Sequence, residues 1–385
     1  MYSLAAYGRM VTDNLRTEAY AKALKQEINS GDVVVDIGAG PGILTLLSCQ
    51  CGARRVYAFE PAGVIELAKE IVAANGFADR IEFIPKLSTE CALPERANVI
   101  VSDVHGILPF FGEGLVSIID ARDRFLAPNG RMIPGCDTLW IAAVHAPELH
   151  QEKLGPWGSR PFDFDMSAAR LRAINSMSQC WVTADQLFLE PRCLATLDYM
   201  TLKQTDSEAT VSWTVDQASQ GHGIVLWFDS ILAEGITLTN RPGAPRLIYK
   251  QAFLPWPTPV DLSPGDTVTV TVSARLVGNE YVWRWDTQLK SRSGSNGATP
   301  SFPLFHQSTF FGSDFSLAGL RASASQFQPK LNEEGRIQRH ILSLMEGNKS
   351  LELISRDLVK SFPGRFKRWQ DAFNLVSSIS RNFGS

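Results

Sequence analysis

Apolar runs and amphipathic segments alternate along the first 150 residues. The run from Val33 to Ile37 predicts a buried strand, and the apolar segment after the next glycines predicts a helix. The same order then repeats, with strands predicted at 55–61, 81–86 and 97–103 and helices at 62–76 and 117–126. Strands that alternate with helices indicate a doubly wound, mostly parallel sheet, here preceded by a helical segment at residues 1–30.

From about residue 150 the pattern changes to longer segments that are typical of strands. They are separated in several places by turn signals such as the Pro-Gly pair at 264–265. The clearest of these segments are 193–202, 209–216, 223–232, 267–278 and 281–289. This pattern predicts an antiparallel β-domain. A polar stretch rich in Gly and Ser at 290–303 predicts a loop, and helical periodicity returns from about 334 to the end.

Composition narrows the function classes. The chain has 385 residues, of which 44% are hydrophobic and 20% charged, as expected of a globular protein. Its formal net charge of -3 argues against a nucleic-acid partner, since phosphate contacts need concentrated Lys and Arg. No apolar run approaches the roughly 20 residues that span a bilayer, and the N-terminus lacks the pattern of a secretory signal. We therefore expect no membrane partner.

The six cysteines are too few for a disulfide framework in a chain of this length. Cys49 and Cys51 lie two positions apart, and no second Cys or His pair stands at metal-binding spacing. Small buried hydrophobic side chains are the simpler interpretation of these residues. We expect a cytoplasmic protein without a bound metal.

The strongest chemical signal is the glycine-rich turn after the first strand. Asp36, Gly38, Gly40 and Gly42 stand between a buried strand and a helix, where glycines let the backbone approach a ligand. Glu60 follows at the end of the next strand, where an acidic side chain accepts hydrogen bonds from ribose hydroxyls. The alternative is a tight turn without a ligand. With Glu60 in place, the pattern favours a nucleotide-type ligand, and both NAD and S-adenosylmethionine fit it.

The form D-x-G-x-G-x-G, with Asp36 inside the strand, resembles the first motif of class I methyltransferases. Residues 10–147 resemble the catalytic core of the protein arginine methyltransferase family, as seen in GARRVYAFE, AKEIVAANGFADRI, NVIVSD and ARDRFLAPNGRMIP. WGSRPFDFDMS resembles the start of the arm through which these enzymes dimerise, and GIVLWFD a strand of their β-barrel. The resemblance covers roughly residues 1–290.

The resemblance implies an α/β plus β fold. A doubly wound, Rossmann-like domain that binds S-adenosylmethionine, with its N-terminal helices, would occupy residues 1–148. An antiparallel β-barrel substrate domain would occupy residues 149–330, with a dimerisation arm at about 155–180. A C-terminal helical region would occupy residues 331–385. A homodimer is expected, because the family's arm covers the helices over the cofactor site.

Carried over residue by residue, the resemblance also implies the cofactor contacts. Arg16 would pair with the carboxylate of the methionine moiety, and Met10 would line the pocket near the sulfonium. The methionine portion would be held by Asp36, Gly38 and Gly40, and the ribose by Glu60. Ser88 aligns with the loop that contacts adenine. Without this resemblance, Arg16 would be interpreted as a solvent-exposed charge on a helix.

The acceptor side departs from the family pattern. Arginine methyltransferases hold the target guanidinium between two glutamates on one loop; here Asp103 stands at the first position, and Gly112 at the second, with Glu113 one residue later. A Thr-His-Trp loop of the family aligns with Leu247-Ile248-Tyr249, so its histidine is missing. Asp103 could bind the substrate or cap the following turn. Productive geometry tolerates shifts of about half an ångström, so the departures count against arginine as acceptor.

His105 is a candidate general base for a nitrogen or oxygen nucleophile, since an unperturbed imidazole titrates near neutrality. The alternative is a loop histidine satisfied by backbone groups. Together with Asp103 and Glu113, His105 completes the set of candidate catalytic residues.

The C-terminal segment 334–385 carries apolar residues at helical spacing, then a break at Gly347, then two further helices. This order resembles the helical part of PqqD-like peptide-binding domains, which would imply a peptide or carrier-bound acceptor. The alternative is a helical extension that packs against the barrel.

Three functions follow from these observations. The first is a dimeric arginine-methyltransferase-like enzyme that methylates a nitrogen of a peptide or protein. The second is a biosynthetic enzyme that methylates a small molecule at nitrogen or oxygen. The third is a catalytically silent partner, which the intact donor motif at Asp36, Gly38, Gly40 and Glu60 argues against.

Overall fold

Five short strands of the first 135 residues form one parallel sheet in the computed structural model, which describes residues 3–291, 304–313 and 326–384. The strands are β1 (Val33–Ile37), β2 (Arg55–Phe59), β3 (Ile81–Ile84), β4 (Ala97–Ser102) and β5 (Leu126–Ile133). Their order in the sheet is β3-β2-β1-β4-β5. Every residue of β1 is buried, as expected for the central strand of a sheet that is covered on both faces.

Five helices accompany this sheet: α1 (Leu4–Val11), α2 (Asn14–Glu27), α3 (Ile43–Gln50), α4 (Val64–Ala74) and α5 (Gly114–Phe125). The first two have side-chain caps. Ser3 accepts from the amide of Ala6, and Asp13 accepts from the amide of Arg16. These caps fix the starts of the helices that carry the residues predicted to contact the methyl donor.

Two antiparallel sheets follow. The first has the order β7-β12-β10-β6-β8, with β11 paired to β10, and the second has the order β15-β14-β13-β9. The strands are β6 (Cys136–Val144), β7 (Ser178–Cys180), β8 (Arg192–Asp198), β9 (Ser207–Thr214), β10 (Ser219–Ala233), β11 (Ile236–Thr239), β12 (Gln251–Leu262), β13 (Thr267–Val277), β14 (Glu280–Lys290) and β15 (Leu304–Ser308). Trp213, Trp256 and Trp285 are buried in their core.

Three helices lie beside the antiparallel strands: α6 (Pro147–Gly158), α7 (Ser167–Ile174) and α8 (Thr309–Gly312). The segment between α6 and α7 exposes apolar side chains, since Phe162 is 92% exposed and Phe164 is 68% exposed. This segment lies inside the predicted arm at 155–180.

Residues 314–385 form a compact unit of their own, separate from residues 1–313. Its described part contains α9 (Glu333–Met345), α10 (Leu351–Ser361) and α11 (Trp369–Phe383). Ile337, Ile341, Ile354 and Leu358 are each at most 1% exposed and form its core with side chains of α11. This unit therefore has its own hydrophobic centre.

The predicted fold class is confirmed: a doubly wound parallel sheet precedes antiparallel sheets, and the C-terminal region is helical. The sheets change between Ile133 and Cys136, before the predicted boundary at residue 148. As an assignment of domains, the boundaries at 148 and 330 stay a prediction. The loop predicted at 290–303 lies outside the described residues from residue 292 onwards.

Candidate active site

The glycine-rich turn lies at the carboxyl end of β1. Gly38, Gly40 and Gly42 all have positive φ angles, of 75°, 54° and 90°. A Cβ atom on Gly38 would lie 2.6 Å from Cγ1 of Val104. The turn therefore requires glycine at position 38, both for its backbone conformation and for the close approach of the loop after β4.

Glu60 ties this turn to the end of β2. Its Oε2 accepts from the amide of Gly40 at 3.0 Å, and its Oε1 accepts from the amide of Ala62 at 2.8 Å. The side chain is buried. Two backbone amides thus hold the carboxylate in one orientation, as the binding of a diol such as a ribose requires.

Asp36 is fully buried at the other side of the turn. Its Oδ2 accepts from the Thr45 hydroxyl at 2.6 Å, and its Oδ1 has no partner among the described residues. The pKa of Asp36 is raised to about 7, mainly by burial, with the Thr45 hydrogen bond lowering it and the charge of Glu60 raising it. Asp36 therefore offers a ligand one unfilled acceptor oxygen.

Helices α1 and α2 bring a cation and an aromatic ring to this end of the sheet. Arg16 is buried; its Nη2 donates to the Met10 carbonyl at 2.7 Å, and its Nη1 donates to Oδ2 of Asp103. Its Nε has no partner among the described residues. Tyr7 of α1 lies 3.5 Å from the position of a Cβ on Gly40. The structure therefore places Met10 and Arg16 beside one another.

Ser88 lies in the turn after β3 and is buried. Its hydroxyl donates to the Ser117 carbonyl at 3.1 Å. The side chain thus joins this turn to α5. Because the hydroxyl proton is used in this contact, an adenine ring would be contacted by the neighbouring backbone.

The loop after β4 holds the acceptor-side candidates Asp103 and His105 in one hydrogen-bonded cluster. Asp103 Oδ1 lies 3.1 Å from Nδ1 of His105 and also accepts from the Tyr249 hydroxyl. Tyr249 lies between β11 and β12, so the antiparallel region supplies one of the three donors around Asp103. The structure brings Asp103 and His105 together.

The other face of His105 meets a second aspartate that the sequence did not single out. Nε2 of His105 lies 2.7 Å from Oδ2 of Asp137, and the Tyr199 hydroxyl donates to the same oxygen at 2.6 Å. The imidazole ring stacks on Phe228, with ring centroids 4.7 Å apart and planes 2° apart. Both ring nitrogens of His105 therefore face carboxylates.

Glu113 is exposed at the start of α5. Among the described residues, no hydrogen bond or ion pair joins it to Asp103 or His105. The position aligned with the family's second glutamate is Gly112, whose φ of 49° is left-handed. The structure therefore groups two of the three candidate catalytic residues and leaves Glu113 apart from their hydrogen-bonded cluster.

Sequence reasoning missed Asp137, Tyr199 and the hydroxyl contact of Tyr249. Asp137 could in principle have been noticed, because a charged residue at the start of a mostly apolar strand such as β6 is rarely fully buried without a partner. Its partner lies 32 residues earlier, and no local pattern connects the two.

The residues at the turn fit S-adenosylmethionine. Arg16 Nε is a buried donor and Asp36 Oδ1 a buried acceptor without partners in the described chain, which suits a zwitterionic ligand. The fixed Glu60 carboxylate suits its ribose. Within the described ranges, no cluster of His, Cys, Asp and Glu could hold a metal ion. Nor does any described helix have the length and apolar character to cross a membrane.

Two families of known sequences match successive parts of the chain. Residues 16–134 match the family described as ribosomal protein L11 methyltransferase (PrmA). Residues 136–287 match the arginine methyltransferase oligomerization subdomain. The junction between the two matches coincides with the change from the parallel to the antiparallel sheet.

Curated relatives carry related names. A protein arginine N-methyltransferase 1 of Chlamydomonas reinhardtii is 31% identical over 250 residues, which cover 63% of this chain and 72% of the relative. A probable protein arginine N-methyltransferase 6 of Arabidopsis thaliana is 31% identical over 229 residues, 57% of this chain. The chain spans only 52% of the length of that Arabidopsis relative.

A solved structure shows the same fold. The Trypanosoma brucei PRMT1 enzyme-prozyme heterotetrameric complex with AdoHcy matches with a TM-score of 0.68 and 22% identity. The match covers 78% of this chain and 96% of that one.

Proposed function

This chain belongs to the protein arginine N-methyltransferase family, and from that premise we propose that it methylates a nitrogen of a protein or peptide side chain. The methyl donor is S-adenosylmethionine. The observation that carries the proposal is the glycine turn at the end of β1, where Glu60 is held by two amides and Asp36 and Arg16 each keep an unfilled polar atom.

S-adenosylmethionine supplies, when bound, a methyl group on a sulfonium that is already activated, so the protein has to position donor and acceptor. Arg16 would hold the methionine carboxylate through Nε, which no described residue occupies. Asp36 and the amides around Gly38 and Gly40 would hold the methionine portion. Glu60 would accept from the ribose hydroxyls, Met10 would line the pocket near the sulfonium, and the turn at Ser88 would meet adenine.

On the acceptor side, we propose that Asp103 binds the target nitrogen, which is the nucleophile. Its carboxylate would accept a hydrogen bond from the target nitrogen and so direct the nitrogen lone pair at the methyl carbon. Glu113 would supply a second carboxylate if the loop between Gly106 and Gly114 rearranges around the acceptor. Arginine in a protein is the first acceptor to test, since the curated relatives are named for it.

A small-molecule amine or phenol is the second candidate acceptor. The observation in its favour is that Asp103 already contacts Arg16, His105 and Tyr249, and that Glu113 lies outside this cluster. An arginine clamp with two free carboxylates is therefore not assembled in the structure.

The test is methyl transfer from labelled S-adenosylmethionine to arginine-rich peptide pools and, in parallel, to small amines and phenols. Label in the peptides supports the first candidate, and label only in the small molecules supports the second. Calorimetry with S-adenosylhomocysteine comes first: if it shows no binding even at high concentration, both enzyme functions are refuted and the silent partner is left.

We further propose a homodimer in the cytoplasm. The match to an oligomerization subdomain covers the segment between α6 and α7, whose Phe162 and Phe164 are exposed, and exposed apolar patches are typical of interfaces. All six cysteines carry free thiols, which suits a reducing compartment.

A further inference from the structure

The imidazole of His105 lies between two buried carboxylates. Its Nδ1 is 3.1 Å from Oδ1 of Asp103, and its Nε2 is 2.7 Å from Oδ2 of Asp137. The side chains of His105, Asp103 and Asp137 are 3%, 9% and 0% exposed. Water therefore contributes little to the solvation of these groups, and their polar atoms depend on one another and on the neighbouring hydroxyls for hydrogen bonds; Asp137 Oδ1 has no partner among the described residues.

Hydrogen-bond roles then fix the charge of the ring. An ionised carboxylate only accepts, so with both aspartates ionised the contacts of Asp103 Oδ1 and Asp137 Oδ2 with the ring are hydrogen bonds only if both ring nitrogens carry a proton. In a neutral ring, one nitrogen lone pair would face a carboxylate oxygen inside a dry cluster. The doubly protonated ring, together with Arg16, places two positive charges against the two negative charges of Asp103 and Asp137.

The neighbouring phenols supply neutral donors to the same cluster. Burial raises the pKa of Tyr199 and of Tyr249 well above the usual range, and the charge of Asp137 adds to the effect at both. Tyr199 donates to Asp137, and Tyr249 donates to Asp103. Burial likewise raises the pKa of Tyr20, which donates to the Ser102 carbonyl at 3.1 Å. No phenolate competes with the carboxylates for the imidazole protons.

We propose that His105 is a positioning residue: as an imidazolium anchored by Asp137 and Tyr199, it holds the Asp103 carboxylate in place for the methyl acceptor. It is then not the general base, because neither nitrogen has a lone pair to offer. This inference rests on the proposed function only in assigning Asp103 to the acceptor. The charge state of the ring does not depend on that assignment.

The arrangement also limits what Asp103 can bind. Its Oδ1 is filled by the His105 ring and the Tyr249 hydroxyl, and its Oδ2 accepts from Arg16. One lone pair of Oδ2 is left for an acceptor molecule. Asp103 therefore gives the target nitrogen a single hydrogen bond, and any second contact has to come from another group.

The charge state can be measured directly on the full chain labelled with 15N-histidine. A doubly protonated ring gives two similar 15N shifts, whereas a neutral ring gives one protonated and one unprotonated nitrogen with widely separated shifts. The His105 signals are those that disappear in His105→Gln. We expect similar shifts at neutral pH; widely separated shifts would overturn the proposal. This readout needs no methyl transfer, so it is independent of the proposed function.

Asp137→Asn tests the positioning role. Loss of the anchoring carboxylate should separate the two 15N shifts of His105 and lower kcat/KM for the acceptor on the order of tenfold to a hundredfold, since misplaced groups cost this much. The Kd of S-adenosylhomocysteine should change by less than about twofold, because among the described residues Asp137 makes no direct hydrogen bond to Arg16, Asp36 or Glu60. Asp216→Asn, at an exposed position between β9 and β10, is the matched control and should change neither quantity.

Tyr199→Phe removes only the hydroxyl that donates to Asp137. This variant tests the positioning role if Asp137→Asn fails to fold. We expect a smaller loss of kcat/KM for the acceptor with the donor Kd unchanged. A folded Asp137→Asn or Tyr199→Phe protein with wild-type kinetics for the acceptor would refute the positioning role.

Discussion

The Glu60 carboxylate has two roles: it would bind the ribose, and it accepts a hydrogen bond from the Gly40 amide in the glycine turn. Replacing it with Gln keeps the size but exchanges one acceptor oxygen for an amide group. We predict that Glu60→Gln weakens the binding of S-adenosylhomocysteine by about 1.5–3 kcal/mol, the range for hydrogen bonds to charged groups. Isothermal titration calorimetry measures this change.

Glu66→Gln is the control for Glu60→Gln. Glu66 lies in the first turn of α4, is 68% exposed and forms an ion pair with Lys69. Its replacement should leave the affinity unchanged. Equal affinities of wild type and Glu60→Gln would remove Glu60 from the donor site.

Asp36 should give the stability of the protein a pH dependence of defined sign. Its folded pKa of about 7 lies above the ~3.9 of an unfolded chain. Between these values the folded state keeps a proton that the unfolded state has lost, so the free energy of unfolding falls as pH rises. Above about pH 7 the free energy of unfolding has fallen by the full amount, and below about pH 4 it has not fallen at all.

Asp36→Asn removes this contribution, because an amide has no proton to lose and can still accept from Thr45. We predict that the variant gains about 2–4 kcal/mol relative to wild type between about pH 4 and pH 8. Urea denaturation across that range measures the difference. A difference between the two proteins that stays constant with pH would contradict the prediction.

The turn between β1 and α3 depends on glycine in a way that one substitution can reveal. Gly38→Ala places a methyl group 2.6 Å from Val104 on a backbone with a φ of 75°. We predict a loss of about 1–3 kcal/mol in the free energy of unfolding, the usual size of such local strain. Chemical denaturation measures this loss at a pH well above 7, where the contribution of Asp36 to stability no longer changes with pH.

Gly63→Ala is the matched control for Gly38→Ala. Gly63 precedes α4 with a φ of -61°, and a Cβ there would meet nothing within 4 Å. The free energy of unfolding should stay within about 0.5 kcal/mol of wild type. If both variants lose the same stability, the close approach of Val104 is not the cause.

Local periodicity predicted most elements because burial on both faces leaves continuous apolar runs. β1 and β4 match the predicted strands within a residue. The start of α5 was predicted at Ser117, but the helix begins at Gly114, since two nearby glycines hide its first turn. β12 was not among the named segments because its three prolines argue against a strand.

The two ends of the site differed in how far the sequence could predict them. Of the donor residues, Asp36, Gly38, Gly40 and Glu60 follow one another along β1, its turn and the end of β2, so spacing alone brings these four together. The acceptor cluster joins Asp103 to Tyr249, which lies 146 residues later, and His105 to Asp137. Such contacts depend on how the antiparallel sheet packs against the parallel one, and a single sequence carries no local trace of that packing.

Across the whole molecule, the exposed aromatic residues between α6 and α7 should control assembly. We predict that the wild type is the proposed dimer and that the double variant Phe162→Ser, Phe164→Ser is monomeric, because two large apolar side chains would leave the proposed interface. Light scattering coupled to size-exclusion chromatography at micromolar concentration measures the mass.

Val277→Ser is the control for the aromatic pair. Val277 is 61% exposed at the end of β13, away from the predicted arm in sequence, and its loss should leave the mass unchanged. A double variant that remains a dimer would contradict the assignment of this segment to the interface.

The C-terminal unit folds around its own apolar residues on α9, α10 and α11. Its resemblance to PqqD-like peptide-binding domains stays a prediction. If the resemblance holds, the acceptor would be a peptide or a carrier-bound intermediate.

The cluster around His105 makes the two halves of the site depend on each other, which matters when parts of related proteins are exchanged. Asp103 and His105 come from the parallel sheet, whereas Asp137 and Tyr249 come from the antiparallel region, so neither half carries a neutral set of charges alone. In a chimera that joined residues 1–135 to the corresponding half of a relative without an acid at position 137, we expect the His105 ring to give up a proton and to lose its anchor. Such a chimera should therefore lose the positioning of Asp103 in the same way as Asp137→Asn.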